Sequence, residues 1–255
     1  MPTIEVNGER LGYLTQGKGP PLVLLHGIGA SADLWGGVLG SLGAEYAAYA
    51  ISLRAHGGSS CNGALLVETL AEDVKAAAEA LGLESYHLVG VSLGGAAALS
   101  LAAMEPKAIR SLVVCGVGLE SSQALADEIY GIREAVHYLA PEVFAQQVAE
   151  AMLVPDTPNR QREALSRSIT KLTKQRYLQA LEAFSAAQLT AVVKQVKAPI
   201  LVLRGELDEL VSKENADALA LSLGAARAEI AGAGHLANID NPAAFADKVL
   251  EFFRR

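Results

Sequence analysis

Residues 86–106 read YHLVGVSLGGAAALSLAAMEP, in which a short apolar run passes into an alanine-rich segment without an intervening loop. The run Tyr86 to Val91 has the length and composition of a strand buried on both faces, and Leu93 to Met104 is typical of a helix. The junction Gly90-Val91-Ser92-Leu93-Gly94 matches the pattern G-x-S-x-G. Between a strand and a helix, this pattern predicts a turn so tight that its serine is strained and its neighbours must be small.

The sequence on either side of this unit alternates between buried strands and amphipathic helices. One helical stripe has apolar residues spaced by three and four from Leu66 to Leu81. This alternation predicts an α/β fold with a mostly parallel central sheet and helices on both faces. A β-hairpin turning at Asn7-Gly8 is expected to add antiparallel strands at one edge. The other apolar runs that we interpret as buried strands are Leu22 to Leu25, Ala47 to Leu53, Ile109 to Cys115 and Ile200 to Leu203.

One long segment interrupts this alternation. From residue 119 to residue 193 the chain has helical periodicity only, cut by Pro141, Pro155 and Pro158. About 70 residues is too long for a loop in a compact domain. We therefore predict an α/β core formed by residues 1–118 and 194–255, with residues 119–193 inserted as a helical cap, or lid. An independent helical subdomain without a role in binding is the alternative.

The composition excludes several classes of protein. Of the 255 residues, 51% are apolar and 19% are charged, and the formal net charge is −7. The apolar fraction excludes a disordered chain, and two cysteines exclude a disulfide scaffold. An acidic chain without clusters of Lys and Arg is not expected to bind nucleic acid or an anionic membrane surface. Since no membrane span or signal peptide is recognised, we expect a cytoplasmic protein with Cys61 and Cys115 reduced.

A second motif follows an earlier strand. His26-Gly27-Ile28-Gly29 comes directly after Leu22 to Leu25. Acyl transfer requires two N–H groups aimed at the oxyanion, one after the nucleophile and one from a loop that follows an earlier strand. Leu93 is predicted to supply the first backbone N–H and Ile28 the second. We expect His26 to brace the loop rather than to contact substrate.

A serine needs a base to take its proton and an acid to orient that base. Asp208 follows the strand that starts at Ile200, and His235 follows Gly232-Ala233-Gly234 after a short strand ending near Ile230. The chain order Ser92, Asp208, His235 is therefore available for a catalytic triad. Glu206 and Glu209 remain alternatives for the acid.

These motifs, in this order, identify the chain as a member of the α/β-hydrolase superfamily. Its length and the style of its cap resemble the 3-oxoadipate enol-lactonase and small-esterase branch of that superfamily. The resemblance extends over essentially the whole chain. It implies that the cap forms a wall of the substrate pocket. Trp35 follows the oxyanion loop as an aromatic residue does in many members, and Ile129, Tyr130 and Met152 are candidate cap residues of the pocket. The family run D-x-R-G-H-G-x-S is altered here, with Ser52 and Ala55 in place of Asp and Gly; we expect Arg54 to have a structural role.

The resemblance implies a serine hydrolase that cleaves a small carboxylic ester or lactone through an acyl-enzyme. No cofactor and no metal is expected, because neither H-E-x-x-H nor a Cys/His ligand spacing occurs. The expected partner is a small-molecule substrate, and a homo-oligomer remains open. The alternatives are cofactor-free chemistry on the same fold, by a C–C bond hydrolase, a lyase or a dioxygenase, and a ligand sensor built on a hydrolase body.

A dinucleotide-binding protein is a further alternative. Residues 27–32 also match G-x-G-x-x-A after a strand, and Arg54 could neutralise a 2′-phosphate. Two observations oppose it. A hairpin precedes the strand that a dinucleotide fold would place first, and no Tyr has a Lys four residues later.

Overall fold

The buried apolar runs form one central sheet in the computed structural model, which describes all 255 residues. Its eight strands are β1 (Thr3–Val6), β2 (Glu9–Gln16), β3 (Pro21–Leu25), β4 (Ala47–Ile51), β5 (Tyr86–Val91), β6 (Ile109–Cys115), β7 (Ile200–Gly205) and β8 (Ala226–Ile230). They are ordered β1-β2-β4-β3-β5-β6-β7-β8 across the sheet. From β4 to β8 all neighbouring strands are parallel, which confirms the predicted α/β class.

The first two strands form the predicted hairpin at the edge of the sheet. β1 and β2 are antiparallel, and the turn between them holds Asn7 at φ 50° and Gly8 at φ 75°. Two successive positive φ angles characterise a type I′ turn, which Asn-Gly adopts readily. β2 then pairs antiparallel with β4 and joins the hairpin to the parallel sheet.

Helices cover the sheet in two groups. On the core, α1 packs against α11, α2 packs against α3, and α9 packs against β7. The helices of the whole chain are α1 (Gly36–Leu42), α2 (Val67–Ala80), α3 (Leu93–Met104), α4 (Gln123–Tyr138), α5 (Pro141–Met152), α6 (Asn159–Lys171), α7 (Lys174–Ser185), α8 (Leu189–Val192), α9 (Lys213–Leu223), α10 (Ala237–Asp240) and α11 (Pro242–Phe253), with 3₁₀ turns at Ala32–Trp35 and Val193–Gln195. None of them combines the length and the apolar character that crossing a membrane would require.

The segment between β6 and β7 folds into the five helices α4 to α8. Two of its prolines mark the starts of helices, since Pro141 is the first residue of α5 and Pro158 directly precedes α6. Proline suits the start of a helix because the N–H groups of the first turn have no acceptor within the helix, so the N–H that proline lacks is not needed there. Within the segment α4 packs against α7 and α5 against α6, and α7 and α8 contact α3 of the core.

Arg54 has the structural role expected from the sequence. Its guanidinium makes two hydrogen bonds to the Asp73 carboxylate, at 2.7 and 2.8 Å, and lies 3.7 Å from Glu9. All three side chains are buried. The cluster ties the β1–β2 hairpin to α2, so the Arg54 charge is already neutralised and is not free to bind a phosphate. Ser52, in place of the family aspartate, accepts a hydrogen bond from the Ala32 N–H.

Candidate active site

Ser92 lies at the junction of β5 and α3 in a conformation that few residues other than glycine adopt. Its backbone has φ 52° and ψ −121°. The neighbouring glycines make this turn possible, because a Cβ on Gly94 would lie 2.5 Å from the carbonyl oxygens of Leu25 and His26. The strand–turn–helix unit therefore holds Ser92 beside the end of β3, where the His26 loop begins.

Ser92, His235 and Asp208 are joined by hydrogen bonds, although they are far apart in the sequence. Ser92 Oγ lies 2.9 Å from His235 Nε2. His235 Nδ1 lies 3.1 Å from both carboxylate oxygens of Asp208. With the proton of the neutral imidazole on Nδ1, Nε2 accepts from the serine hydroxyl. The alternatives for the acid do not occupy this position, since Glu206 instead accepts a hydrogen bond from the Gly232 N–H.

The charges around His235 favour its protonated form. Burial lowers the pKa of His235, but the charge of Asp208 and its hydrogen bond, together with Glu128 and Asp240, raise that pKa above its ordinary value. Burial would raise the pKa of Asp208, yet the charge and hydrogen bond of His235 hold it below its ordinary value. Asp208 is therefore ionised at neutral pH and stabilises an imidazolium on its neighbour.

Two loops are braced so that these side chains meet. Asp208 Oδ1 accepts hydrogen bonds from the N–H groups of Leu210 and Val211, both at 3.0 Å. Arg204 of β7 donates to the Asp208 carbonyl at 2.6 Å. The loop of His235 is held by Asp240, which accepts from the Gly234 N–H at 2.8 Å and also from the hydroxyl of Thr157 in the helical insertion.

The loop after β3 approaches Ser92 closely. A Cβ on Gly27 would lie 3.2 Å from the Cβ of Ser92. The Ile28 N–H makes no hydrogen bond to another backbone group, and Leu93 is the first residue of α3, where an N–H has no acceptor within its helix. Leu93 directly follows Ser92, and Ile28 lines the same cavity as Ser92. His26 braces this loop as expected, because Nε2 accepts from the Leu53 N–H at 3.0 Å and Nδ1 donates to the Gly27 carbonyl at 2.7 Å.

The serine and histidine open onto a small cavity beneath the helical insertion. Its volume is about 10 Å³, which is roughly the space that one water molecule needs. Of the predicted pocket residues, Met152 lines this cavity. The polar residues of its wall are Ser92, His235, Glu128 and Tyr177, and the apolar ones are Ile28, Leu125, Met152, Leu181, Phe184, Leu210 and Leu236.

Three predicted pocket residues do not line this cavity. Trp35 is fully buried at the base of α1 and packs against Phe245 of α11, with ring centroids 5.9 Å apart. Tyr130 is 69% exposed on the outer face of α4. Ile129 is buried among the helices of the insertion but is absent from the cavity wall. Successive residues of a helix point about 100° apart, so Tyr130, five residues after Leu125, points away from the cavity. Ile129 lies on the same buried side of α4 as Leu125 but contributes nothing to the cavity wall.

Glu128 is the polar residue of the site that the sequence analysis missed. Its spacing from Leu125 and Ile132, three residues before and four after, places it on the buried face of α4. A carboxylate at a position of the apolar stripe is unusual, because burying an unpaired charge is costly. An acidic residue within the apolar stripe is therefore the feature of the sequence that points to Glu128. No group of three or more His, Cys, Asp or Glu side chains is arranged to hold a metal ion.

Comparison with known proteins agrees with this geometry. A family model described as the alpha/beta hydrolase fold matches residues 20–242. The chain belongs to this family. It is 31% identical to a pimeloyl-[acyl-carrier protein] methyl ester esterase of Methylococcus capsulatus, over 81% of this chain and 83% of the esterase. It is 24% identical to 3-oxoadipate enol-lactonase 2 of Acinetobacter baylyi, over 99% of this chain and 96% of the lactonase.

Among solved structures of the α/β-hydrolase fold, the enol-lactonase of Burkholderia xenovorans LB400 superimposes on this chain with a TM-score of 0.90. Each chain is covered completely, at 23% sequence identity. This likeness concerns the fold. Together with the lactonase and esterase relatives, it agrees with the branch of the family that the length and the cap of the chain resemble.

Proposed function

We propose that this α/β hydrolase is a serine hydrolase that cleaves a small carboxylic ester or lactone. The observation that carries the proposal is the hydrogen-bonded series from Ser92 Oγ through His235 to Asp208, with distances of 2.9 and 3.1 Å. The serine of this series lies at a strained strand–helix turn and faces a cavity, where a carbonyl carbon can approach it. Relatives named as a methyl ester esterase and as an enol-lactonase support the same reaction class.

The reaction proceeds in two halves. In the first, Ser92 Oγ attacks the carbonyl carbon while His235 Nε2 takes the hydroxyl proton, and the same proton is then given to the leaving alcohol oxygen. In the second half, water attacks the acyl-enzyme while His235 again acts as base, and the proton returns to Ser92. Asp208 keeps the imidazole oriented and balances its positive charge in both halves.

The negative charge that develops on the carbonyl oxygen is stabilised by backbone groups. The donors of this proposal are the backbone N–H groups of Ile28 and Leu93, and the N-terminus of α3, which begins at Leu93, adds its positive dipole end. Because these donors belong to the backbone, substitution of the Ile28 or Leu93 side chain is expected to affect turnover less than substitution of Ser92, His235 or Asp208.

The test is a panel of short-chain esters, lactones and thioesters offered to the wild type and to Ser92→Ala. We expect Ser92→Ala to lower turnover by roughly 10⁶. The matched control is Ser100→Ala, which makes the same change on α3 away from the cavity. A fluorophosphonate should add its mass to the peptide that contains Ser92 and to no other serine peptide.

Two results would contradict the proposal. Hydrolysis by Ser92→Ala at wild-type rates would assign the reaction to another nucleophile. A single turnover followed by a stable adduct on every substrate would instead indicate a ligand sensor with the body of a hydrolase.

A further inference from the structure

Glu128 is a partly buried acidic residue that the proposed reaction does not use. It lines the cavity together with Ser92 and His235. Its Oε2 atom is buried and has no hydrogen-bond partner. Buried carboxylate oxygens are normally paired with a donor or a cation, and leaving one unpaired is costly. We therefore look for a ligand group that could pair with this oxygen when substrate is bound beside Ser92.

The cavity contains no positive charge that could serve as this partner. Neither Lys nor Arg is among its lining residues. The ionised Asp208 lies directly behind His235, so the only cation that the site can generate already faces a carboxylate. Tyr177, the remaining polar side chain of the wall, is a neutral phenol whose pKa burial raises further above its ordinary value. The site therefore favours positive charge and opposes negative charge.

Glu128 also lines a second, larger space. A cleft of about 260 Å³ between α4 and α5 is bounded by Glu128 and by apolar or uncharged residues that include Ile132, Phe144 and Gln147. Glu128 is the one residue that this cleft shares with the cavity at Ser92, and the only charged residue in its wall. Glu128 is therefore placed to contact a substrate group in either space.

Resting on the serine-hydrolase function proposed above, we propose that Glu128 determines specificity by binding a positively charged alkylammonium group of the ester or lactone. The apolar residues of the cleft contact the carbon chain between this group and the reacting carbonyl. A substrate that carries a free carboxylate at the same place is disfavoured, because its charge repels that of Glu128 and finds no Lys or Arg.

The protonation of Glu128 agrees with this role. Burial raises the pKa of Glu128 to about 7, while the charge of His235 lowers it and that of Asp208 raises it. Near neutral pH the unliganded carboxyl group is thus divided between its protonated and ionised forms. An adjacent ammonium group stabilises the ionised form. An adjacent carboxylate stabilises the protonated form and gains no ion pair.

The test uses three p-nitrophenyl esters of the same chain length and shape. Each has a five-methylene acyl chain, which ends in a trimethylammonium group, in its uncharged tert-butyl isostere or in a carboxylate. The measured quantity is the ratio of kcat/KM between the charged esters and the uncharged one, for wild type and for the isosteric variant Glu128→Gln. This comparison of ratios cancels the general effect of the apolar cleft on binding.

We expect Glu128→Gln to lower the preference for the cationic ester by roughly tenfold or more, chiefly through KM, and to raise relative activity on the anionic ester. Charge reversal in Glu128→Lys should make the anionic ester the preferred one. The matched control is Glu134→Gln, which makes the same chemical change at an exposed position of α4 and should leave every ratio unchanged.

The outcomes separate this inference from the function on which it rests. Equal ratios in wild type and Glu128→Gln, with hydrolysis still dependent on Ser92, would overturn the role of Glu128 and leave the serine hydrolase intact. Absence of hydrolysis of all three esters, and of the broader panel, would overturn the proposed function itself.

Discussion

Ser92 occupies an unfavourable backbone conformation, and the residues around it explain why it can remain there. A non-glycine residue at φ 52° costs free energy of order 1–3 kcal/mol. The cost is offset because the N–H of Ser92 donates to the Cys115 carbonyl at 2.8 Å and its own carbonyl accepts from Ala96 at 3.0 Å. The residue is thus fixed by the neighbouring strand on one side and by its helix on the other, with the hydroxyl directed to His235.

The contribution of Asp208 can be tested by removing its charge while keeping its shape. In Asp208→Asn the amide cannot stabilise the imidazolium, and its NH₂ group favours the tautomer of His235 that cannot accept from Ser92. We expect kcat/KM to fall by roughly 10⁴. Asp247→Asn, the same change at an exposed position of α11, serves as the control. Activity within tenfold of wild type would exclude Asp208 as the orienting acid.

The pH dependence of the reaction follows from the charges near His235. His235 acts as base only when unprotonated, so kcat/KM for an uncharged ester should fall as the pH drops through its pKa. That pKa lies above 6.5, because Asp208, Glu128 and Asp240 together outweigh the effect of burial. Glu128→Gln removes one of these carboxylates and should move the acid limb to lower pH, whereas Glu134→Gln should not. A limb that stays in place, or moves to higher pH, would show that Glu128 carries no charge near His235.

At the scale of elements, the sequence predicts best where the signals are local. Leu93–Met104 forms a helix with the predicted bounds, because the strand–turn junction at Ser92 fixes where it begins. The hairpin is predictable from Asn7-Gly8 alone, because these two residues adopt positive φ angles readily whatever packs around them. Five strands were recognised as apolar runs, and their ends differ by only a few residues.

The wall of the site could not be predicted in the same way. Apolar periodicity places both Leu125 and Ile129 on the inner side of α4 but does not reveal which of them faces the cavity and which faces another helix. That depends on how α4 packs against α7, a contact between segments about 50 residues apart. Trp35 presents the same difficulty, because its partner Phe245 comes from the other end of the chain.

A substitution beside the turn at Ser92 can measure how tightly β3, β5 and α3 are packed together. In Gly94→Ala the new methyl group would lie 2.5 Å from two backbone carbonyl oxygens of the β3 end. Because backbone atoms cannot yield as a flexible side chain does, we expect a loss of at least about 1–3 kcal/mol of stability. The control is Gly131→Ala on α4, where the methyl group meets nothing and should gain about 0.5–1 kcal/mol. Thermal unfolding measures both, and an unchanged Tm for Gly94→Ala would contradict this packing.

At the scale of the whole molecule, several polar contacts join the helical insertion to the core. The Ser122 hydroxyl donates to the Leu210 carbonyl at 2.8 Å, and Arg176 donates to the Cys61 carbonyl at 3.1 Å. Asp240 accepts from the N–H of Val154 at 3.3 Å and from the Thr157 hydroxyl, and Asn215 of α9 accepts from the N–H of Leu119 at 2.8 Å. The cavity at Ser92 has a volume of about 10 Å³, roughly the space of one water molecule. For an ester of the proposed kind to reach Ser92, the insertion would have to move relative to the core, and these contacts would then change.

A carboxylate retained for binding should reduce the stability of the unliganded protein, and Glu128 allows that trade-off to be measured. Burial raises the pKa of the Glu128 carboxyl group from 4.5 to about 7. Below pH 4.5 the carboxyl group is protonated in both the folded and the unfolded chain, so its burial does not lower the free energy of unfolding. As the pH rises the unfolded chain ionises first, and the loss of stability is complete above pH 7. Glu128→Gln should therefore unfold at higher temperature than wild type at pH 8.5, by roughly 2–4 °C for each kcal/mol recovered, and with little difference at pH 4. Glu134→Gln should show no such pH-dependent gain. If Glu128→Gln were instead less stable than wild type at pH 8.5, the carboxylate would have to be paired within the folded chain, and no ammonium group of a substrate would be needed to explain its burial.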